Sequence, residues 1–88
     1  MEWSLELSDD AKADLAKVGT AEARRILKFL YERVRKLPHP HALGEALSGS
    51  LAGLWRYRVG NFRIVCEIQD EKIHILVVRI AHRSKVYK

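Results

Sequence analysis

Three apolar segments separated by short polar breaks occupy the C-terminal part of the chain, and this pattern constrains the fold more than any other feature. The segments read LWRYRV, FRIVCEI and KIHILVVRIA, and the breaks are Gly60-Asn61 and Asp70-Glu71. Alternating apolar and polar residues are typical of half-buried strands, and a two-residue Gly-Asn break is a hairpin signal. The pattern therefore predicts a three-stranded antiparallel meander.

The N-terminal part predicts one strand followed by two helices. WSLEL alternates as a half-buried strand does, and Ser8 can cap a helix that ends at Gly19. A second helix begins at Thr20 and keeps an apolar face as far as Leu37, before Pro38 stops it. The order β-α-α-β-β-β predicts a single α+β domain over residues 1–88, with two paired helices on one face of a small, mainly antiparallel sheet.

Positive charge is concentrated in the meander. The 88 residues carry a formal net charge of +5, and residues 1–52 contribute none of it because their basic and acidic side chains balance. Residues 53–88 hold eight Lys or Arg against only Glu67, Asp70 and Glu71. Such asymmetry favours a polyanionic partner, nucleic acid above all, over a merely soluble basic protein.

Several protein classes are excluded by what the sequence lacks. No apolar stretch approaches the roughly 18 residues of a membrane span, and the acidic start MEWSLELSDD has no signal-peptide core. Cys66 is the only cysteine, which rules out an internal disulfide and a cysteine-based zinc site and fits a reducing cytoplasm. His39 and His41 have no carboxylate or cysteine at ligand spacing. We therefore expect a cytoplasmic protein without a membrane segment, metal or cofactor.

Strand alternation sorts the side chains of the meander onto two faces. The larger apolar set, including Leu76, Val78 and Ile80, is expected to pack against the helices. The opposite face then collects five arginines around a smaller apolar patch. The arginines are Arg56, Arg58, Arg63, Arg79 and Arg83, and the patch is Val65, Ile75 and Val77.

That second face predicts binding to both RNA and protein. Like charges on neighbouring strands repel, and only Glu67 lies there to offset them, so a salt bridge to it from Arg79 or Arg63 is expected. Arginine is suited to bidentate phosphate contacts, and exposed apolar patches usually bind a partner.

Two further basic groups have two interpretations each. One lies on the second helix opposite its apolar face, and the other is the tail RIAHRSKVYK. The helix group is Arg24, Arg25, Lys28, Arg33, Arg35 and Lys36, and the tail adds Lys85 and Lys88. Each group is either a solvated surface or a contact for a polyanion such as RNA. The acidic Asp9, Asp10 and Asp14 are explained by helix capping and solubility.

The C-terminal motifs resemble a known toxin family. LAGLWRYRVGNFRIVCEI followed by VVRIAHRSKVY is similar to the RelE branch of the RelE/ParE superfamily of bacterial and archaeal toxins. The core pattern there is L-x-G-x-x-x-Y-R-x-R-x-G-x-Y-R, followed by a strand ending in H-R or K-R and a final Tyr. The strand order matches as well, so the resemblance covers essentially the whole chain and implies the RelE-like fold.

The resemblance implies an activity, partners and site residues. RelE-type toxins enter the A site of a translating ribosome and cut mRNA without metal, by attack of the 2′-hydroxyl that leaves a 2′,3′-cyclic phosphate and a 5′-hydroxyl. A small, acidic, DNA-binding antitoxin of the RelB type holds them inactive, and oligomers form mainly through that complex. The catalytic positions carried over are Arg56, Arg58, Arg63, Arg83 and Tyr87.

One departure from the family leaves the general base open. Several RelE-type toxins carry lysines where this chain has Arg56 and Arg58, and an arginine side chain is not a base at neutral pH. Tyr87, Glu67 and His82 are the candidates. A salt bridge is the competing role for Glu67, and alternation places His82 on the face opposite the arginines, where packing or a strand-end hydrogen bond would explain it.

Two other functions are compatible with the fold. One is a ParE-like inhibitor of DNA gyrase without nuclease chemistry, and the other is a domain that binds RNA or an antitoxin but has lost activity. ParE-like chains generally lack the basic catalytic set, so its presence favours the RelE type.

Overall fold

The computed structural model of the chain describes residues 2–85, in which two α-helices pack against one mixed five-stranded sheet. The elements are β1 (Ser4–Leu7), α1 (Asp9–Val18), α2 (Thr20–Glu32), β2 (Glu45–Ala46), β3 (Trp55–Val59), β4 (Phe62–Gln69) and β5 (His74–His82). The strands lie in the order β1-β5-β4-β3-β2, with β1 parallel to β5 and the other neighbours antiparallel. The predicted α+β fold and its meander are confirmed.

Local signals set the helix ends. Ser8 Oγ accepts a hydrogen bond from the Ala11 N–H at 3.1 Å and so caps α1, and Gly19, with φ 93°, separates the two helices. α2 ends at Glu32 and is followed by a 3-10 turn over Val34–Lys36, so the predicted continuation to the prolines is wrong. Among the described residues, no helix has both the length and the apolar character needed to cross a membrane.

The core lies between the helices and the inner face of the sheet. Its buried members are Trp3, Ala11, Ile26, Leu30, Val34, Tyr57, Val59, Ile64, Cys66, Ile75, Val77 and Ile80. Removal of these apolar side chains from water is the main force that holds the two layers together. Burial also raises the pKa of the Cys66 thiol to about 12, which keeps it protonated and unreactive.

A β-bulge interrupts the pairing of β4 with β5. Val65 pairs with Arg79, but the next residue, Cys66, pairs with Val77, so Val78 is an extra residue on β5. One extra residue reverses the alternation of side chains on one side of the bulge.

The bulge overturns the predicted apolar patch. Ile75 and Val77 lie in the core and are fully buried, and Val65 on the outer face is only 2% exposed. Leu76 and Val78, which strict alternation assigned to the helices, are half-buried instead. The patch of Val65, Ile75 and Val77, which we expected to contact a protein partner such as the antitoxin, is therefore not an exposed surface.

α1 covers the edge of β5 beyond the end of β1. The Ser8 N–H donates to the Val77 carbonyl at 2.9 Å, and Ser8 Oγ donates to the Val78 carbonyl at 2.9 Å. The Asp14 carboxylate accepts the Ile80 N–H at 2.8 Å. These groups satisfy backbone atoms that a neighbouring strand would otherwise satisfy, which is a structural role for Asp14 beyond solubility.

Candidate active site

The four predicted catalytic arginines meet on the outer face of the sheet. Arg56 and Arg58 lie on β3, and Arg63 on β4 is directly opposite Arg58. Arg83 follows β5, and its N–H donates to the Asn61 carbonyl at 2.6 Å, beside the turn between β3 and β4. We call Arg56, Arg58, Arg63 and Arg83 the arginine cluster.

The members of the arginine cluster repel one another. The pKa of the Arg63 guanidinium lies below its usual value, because burial disfavours its charge and because the other three arginines of the cluster are close. Arg63 Nη1 donates to the carbonyls of Gly60 at 3.3 Å and Phe62 at 3.1 Å, which holds the guanidinium near the turn. Such a concentration of fixed positive charge is suited to an anion.

A carboxylate that the sequence did not single out lies against the arginine cluster. Glu45 on β2 is opposite Arg56, whose Nη2 donates to Glu45 Oε1 at 2.6 Å. The hydrogen bond and charge of Arg56, together with the charges of Arg58 and Arg63, lower the pKa of Glu45. Arg56 Nε is buried without a hydrogen-bond partner among residues 2–85, so part of its donor capacity is unused.

Two donors on β3 hold the preceding loop in place and so position this carboxylate. Trp55 Nε1 donates to the Leu43 carbonyl at 2.6 Å, and the Tyr57 hydroxyl donates to the Pro40 carbonyl at 2.6 Å. Gly44 has φ 78°, and a Cβ there would collide with a β3 carbonyl and lie 2.8 Å from the Trp55 Nε1. Only glycine fits so close to the strand in this conformation.

Arg79, the fifth arginine of the predicted face, is tied to α1. Its Nε donates to Asp14 Oδ2 at 2.9 Å and its Nη2 to Oδ1 at 3.3 Å. Burial by itself raises the pKa of Asp14, but the hydrogen bonds from Arg79 and the Ile80 N–H, with the charge of Arg79, bring it below its usual value. The expected salt bridge of Arg79 or Arg63 with Glu67 is therefore wrong.

Neither Glu67 nor His82 lies in the arginine cluster. Glu67 lies two residues along β4 from Val65, the partner of Arg56, but its side chain accepts a hydrogen bond from Gln69 and forms no ion pair with the cluster within residues 2–85. His82 pairs with Phe62 away from the outer face, as alternation predicted, with the rings edge to face at 5.5 Å. Its Nδ1 accepts the N–H of Ser84 at 3.2 Å, so packing and a strand-end hydrogen bond account for it.

The basic residues of α2 and its 3-10 turn divide into separate surfaces. Arg24 and Lys28 line an open groove between α1 and α2, and Arg25, Lys28 and Arg33 line a pocket beside β3. Lys36 is exposed.

Arg35 has a structural role. Its Nε donates to the Trp3 carbonyl at 2.9 Å, its Nη2 lies 3.1 Å from the Glu2 carboxylate, and its carbonyl accepts the Trp3 N–H at 3.0 Å. These contacts attach the end of the helical segment to the N-terminal strand.

The tail is described only in part. Lys85 lies beside a cleft that also includes Lys17 and His82, whereas Tyr87 and Lys88 lie outside the described residues. Within residues 2–85, no three His, Cys, Asp or Glu side chains are grouped to hold a metal ion.

Comparison with known proteins identifies the family. A family model described as "ParE toxin of type II toxin-antitoxin system, parDE" matches residues 5–87. Toxin RelG of Mycobacterium tuberculosis is 25% identical over 88 residues, spanning 100% of this chain and 99% of RelG. Toxin RelE of the same organism is 29% identical over 86 residues, spanning 98% of this chain and 87% of RelE.

A solved structure shares the fold. The crystal structure of the toxin–antitoxin complex RelBE2 from M. tuberculosis contains a chain that matches with a TM-score of 0.87 and 24% identity, over 97% of this chain and 95% of that one. The family model covers nearly all of the sequence, and the fold agrees with it. The chain therefore belongs to the ParE toxin family of type II toxin–antitoxin systems, within the wider RelE/ParE group of toxins.

Proposed function

We propose that the chain is a ribosome-dependent endoribonuclease that cuts mRNA in the ribosomal A site and so stops translation in the cytoplasm. The observation that carries this proposal is the arginine cluster, in which Arg58 and Arg63 are directly opposed. Like charges in this position destabilise a sheet, which makes a purely structural role for them unfavourable. A phosphodiester placed between them would remove the repulsion.

In the proposed reaction the 2′-oxygen of the message attacks the adjacent phosphorus and the bond from phosphorus to the 5′-oxygen breaks. The products are a 2′,3′-cyclic phosphate and a 5′-hydroxyl. The arginine cluster would stabilise the negative charge that develops on the phosphoryl oxygens, and holding the flexible backbone in line contributes separately. We propose that Tyr87, which the motif resemblance places among the catalytic residues, shares in proton transfer by donating the proton to the leaving 5′-oxygen.

Glu45 is our proposed general base. Arginine cannot accept the 2′-hydroxyl proton at neutral pH, and Glu45 is the carboxylate in hydrogen-bond contact with the cluster among residues 2–85. Its low pKa keeps it ionised but makes it a weak base while Arg56 holds it. A substrate phosphate that takes over Arg56 would weaken this hydrogen bond, and the basicity of the carboxylate would rise as the substrate binds.

Primer extension on ribosomes programmed with a defined mRNA tests the nuclease assignment. We expect Arg63→Ala to lower the single-turnover cleavage rate by about 10²-fold, the typical effect of losing one donor to developing charge. Lys72→Ala, at the exposed turn between β4 and β5, is the control with the same charge change. If Arg63→Ala cleaved mRNA at the wild-type rate, the arginine cluster would not be part of the active site.

The Glu45→Gln variant distinguishes two roles of Glu45, a general base and a hydrogen-bond acceptor that only holds Arg56 in place. The amide still accepts a hydrogen bond from Arg56 but takes no proton, so a base role predicts a rate loss of roughly 10²–10⁴ and loss of the acid limb of the pH–rate profile. Glu71→Gln is the matched control on an exposed turn. Near-normal cleavage by Glu45→Gln would mean that the carboxylate only holds Arg56.

A gyrase inhibitor is the second candidate function, because the description of the matching family model names ParE and parDE. Pulse labelling after induction distinguishes the two. The nuclease proposal requires protein synthesis to fall before DNA synthesis, and the reverse order, with gyrase-linked DNA damage, would establish the ParE-type activity.

We also propose that an acidic antitoxin of the RelB type holds this chain inactive and that it occupies the groove between α1 and α2. The groove has a volume of about 820 Å³, apolar walls that include Leu15, Leu27 and Tyr31, and a rim that includes Arg24 and Lys28. Tyr31 is 38% exposed, and the basic rim complements an acidic helix. Tyr31→Ala should weaken binding of the antitoxin and leave mRNA cleavage intact. If antitoxin binding were unchanged, the groove would not be part of the interface.

A further inference from the structure

A pocket opens at the edge of β3, on the side away from β4. β2 pairs with β3 only at Trp55 and Arg56, so within the described residues no strand covers the edge from Tyr57 to Val59. The later turns of α2 pass beside this edge, and between them lies a pocket of about 390 Å³. Its lining residues are Arg25, Lys28, Phe29, Glu32, Arg33, Arg58, Val59 and Gly60.

The pocket carries a strong excess of positive charge. Its lining includes four basic side chains and one acidic side chain, Glu32. Arg25 and Lys28 are three residues apart and share a face of α2, and Arg33 directly follows the helix. Of these four basic residues, only Arg25 has an ion-pair partner within residues 2–85, namely Glu22 at 4.0 Å, and the two side chains are 59% and 39% exposed. Lys28 and Arg33 form no ion pair within residues 2–85, so their charges are not neutralised.

The pocket has an apolar wall in addition to its positive charge, so it can accept a nucleotide and not only an isolated anion. Phe29 and Val59 supply an apolar wall, and the Phe29 ring is held edge to face against Tyr57 at 6.0 Å. Gly60, with φ 57°, leaves room for Arg25: a Cβ there would lie 2.8 Å from Arg25 Nη1. The pocket therefore combines basic side chains that can donate hydrogen bonds to a phosphate with an apolar surface for a sugar or base.

Arg58 belongs to both the pocket and the arginine cluster. It lies opposite Arg63 on the outer face and also lines the pocket at the edge of the same strand. The positive surface is thus continuous from the proposed cleavage site, around the β3 edge, to α2. A polyanion with regularly spaced phosphates can follow such a path, because the arginine fork binds phosphate oxygens in pairs and the apolar wall of the pocket accepts a sugar or base.

We propose that the β3-edge pocket is a second phosphate-binding site, which holds the backbone of an RNA strand outside the cleavage site. That the pocket binds an anion is inferred from its own residues, whereas the identification of RNA as that anion rests on the proposed nuclease function. The site contributes affinity and orientation and takes no part in bond breaking.

Fluorescence anisotropy with a labelled single-stranded RNA carrying 2′-O-methyl groups tests the site without depending on cleavage, because this RNA has no attacking hydroxyl. Lys28→Ala and Arg33→Ala should each weaken binding by about 5- to 10-fold, and each should reduce the salt slope of log Kd by about 0.7. Lys12→Ala on the exposed side of α1 is the control with the same loss of charge. Thermal unfolding checks that every variant remains folded.

The outcomes separate this proposal from the proposed function. Weaker RNA binding with an unchanged single-turnover rate at saturating programmed ribosomes supports a separate binding site. If the wild type binds the RNA through these residues yet cuts no message, the pocket proposal stands and the nuclease proposal fails. If Lys28→Ala and Arg33→Ala bind RNA as Lys12→Ala does, the proposal is overturned. It is also overturned if they lose affinity only for an acidic antitoxin.

Discussion

Replacing Arg58 with glutamine should make the protein more stable and less active at the same time. The register places Arg58 directly opposite Arg63, where Cβ atoms are about 4.5–5.5 Å apart. No hydrogen bond or ion pair joins Arg58 to another of residues 2–85, so the substitution removes the repulsion from Arg63 and loses only a longer-range attraction to Glu45. Two unit charges about 7 Å apart in a water-like dielectric repel by about 0.6 kcal/mol, within the ~0.2–1 kcal/mol range of cross-strand pairs.

This free energy is measurable as a shift in thermal stability. For a domain of this size, 1 kcal/mol corresponds to roughly 4–8 °C, so the Tm of Arg58→Gln should rise by about 2–5 °C. Circular dichroism melts in 0.1 M and 1 M salt provide the test, because the Debye length falls from about 10 Å to about 3 Å and the gain should shrink. Cleavage should meanwhile fall by about 10²-fold, since a donor to the phosphate is lost.

Arg79→Gln is the matched control on the same face. It removes the same charge but also breaks the paired hydrogen bonds to Asp14, whose side chain is only 11% exposed. The free energy of unfolding of Arg79→Gln should therefore fall by up to about 1 kcal/mol. The reasoning would be refuted if Arg58→Gln lowered the free energy of unfolding, or if its gain were the same at both salt concentrations.

Three further substitutions test other contacts. Tyr57→Phe should lower the free energy of unfolding by about 1–3 kcal/mol in urea titrations, because the Pro40 carbonyl loses its buried donor; an unchanged midpoint would contradict this. Gly44→Ala should be destabilised by at least about 1 kcal/mol at φ 78°, and a wild-type melt would argue against the close approach to β3. Folding lowers the pKa of Asp14, so its contribution is complete above about pH 4 and is lost as the pH falls through the lower folded value. Asp14→Asn should therefore lower stability at pH 7 and flatten its decline toward pH 3.

Local pattern predicted the parts of the fold that local chemistry determines. The hairpin of β3 and β4 follows from alternation and from Gly60, whose φ of 57° suits the first central position of a type II′ turn. The bulge at Val78 was not predictable in this way, because Ile75 to Val78 is a continuous apolar run. In such a run the odd-numbered and the even-numbered side chains are equally suited to face the core. The alternation of apolar and polar residues therefore does not show where the extra residue lies.

The site was predicted where its residues lie on regular strands and missed where they do not. β2 has only two residues, so Glu45 gives no periodic signal. An indirect signal was present in Trp55 and Tyr57, because their inward-facing polar ends need acceptors, and the acceptors lie in the segment just before Glu45. Asp14 was missed for a different reason: a carboxylate in the first turns of a helix has an adequate local explanation.

The arginine cluster is assembled in two ways, and the difference bears on its function. Arg58 and Arg63 are brought together by a two-residue turn, so their opposition is built into the hairpin itself. Glu45 and Arg83 arrive from distant parts of the chain, through a short edge strand and a hydrogen bond to the hairpin turn. Short edge elements open at lower free energy than central strands. Three of the four charges that would bind phosphate, on Arg56, Arg58 and Arg63, are thus held by the more stable hairpin, whereas the proposed base depends on the less stable edge strand. A partner that moved this edge would therefore change cleavage more than it changed binding.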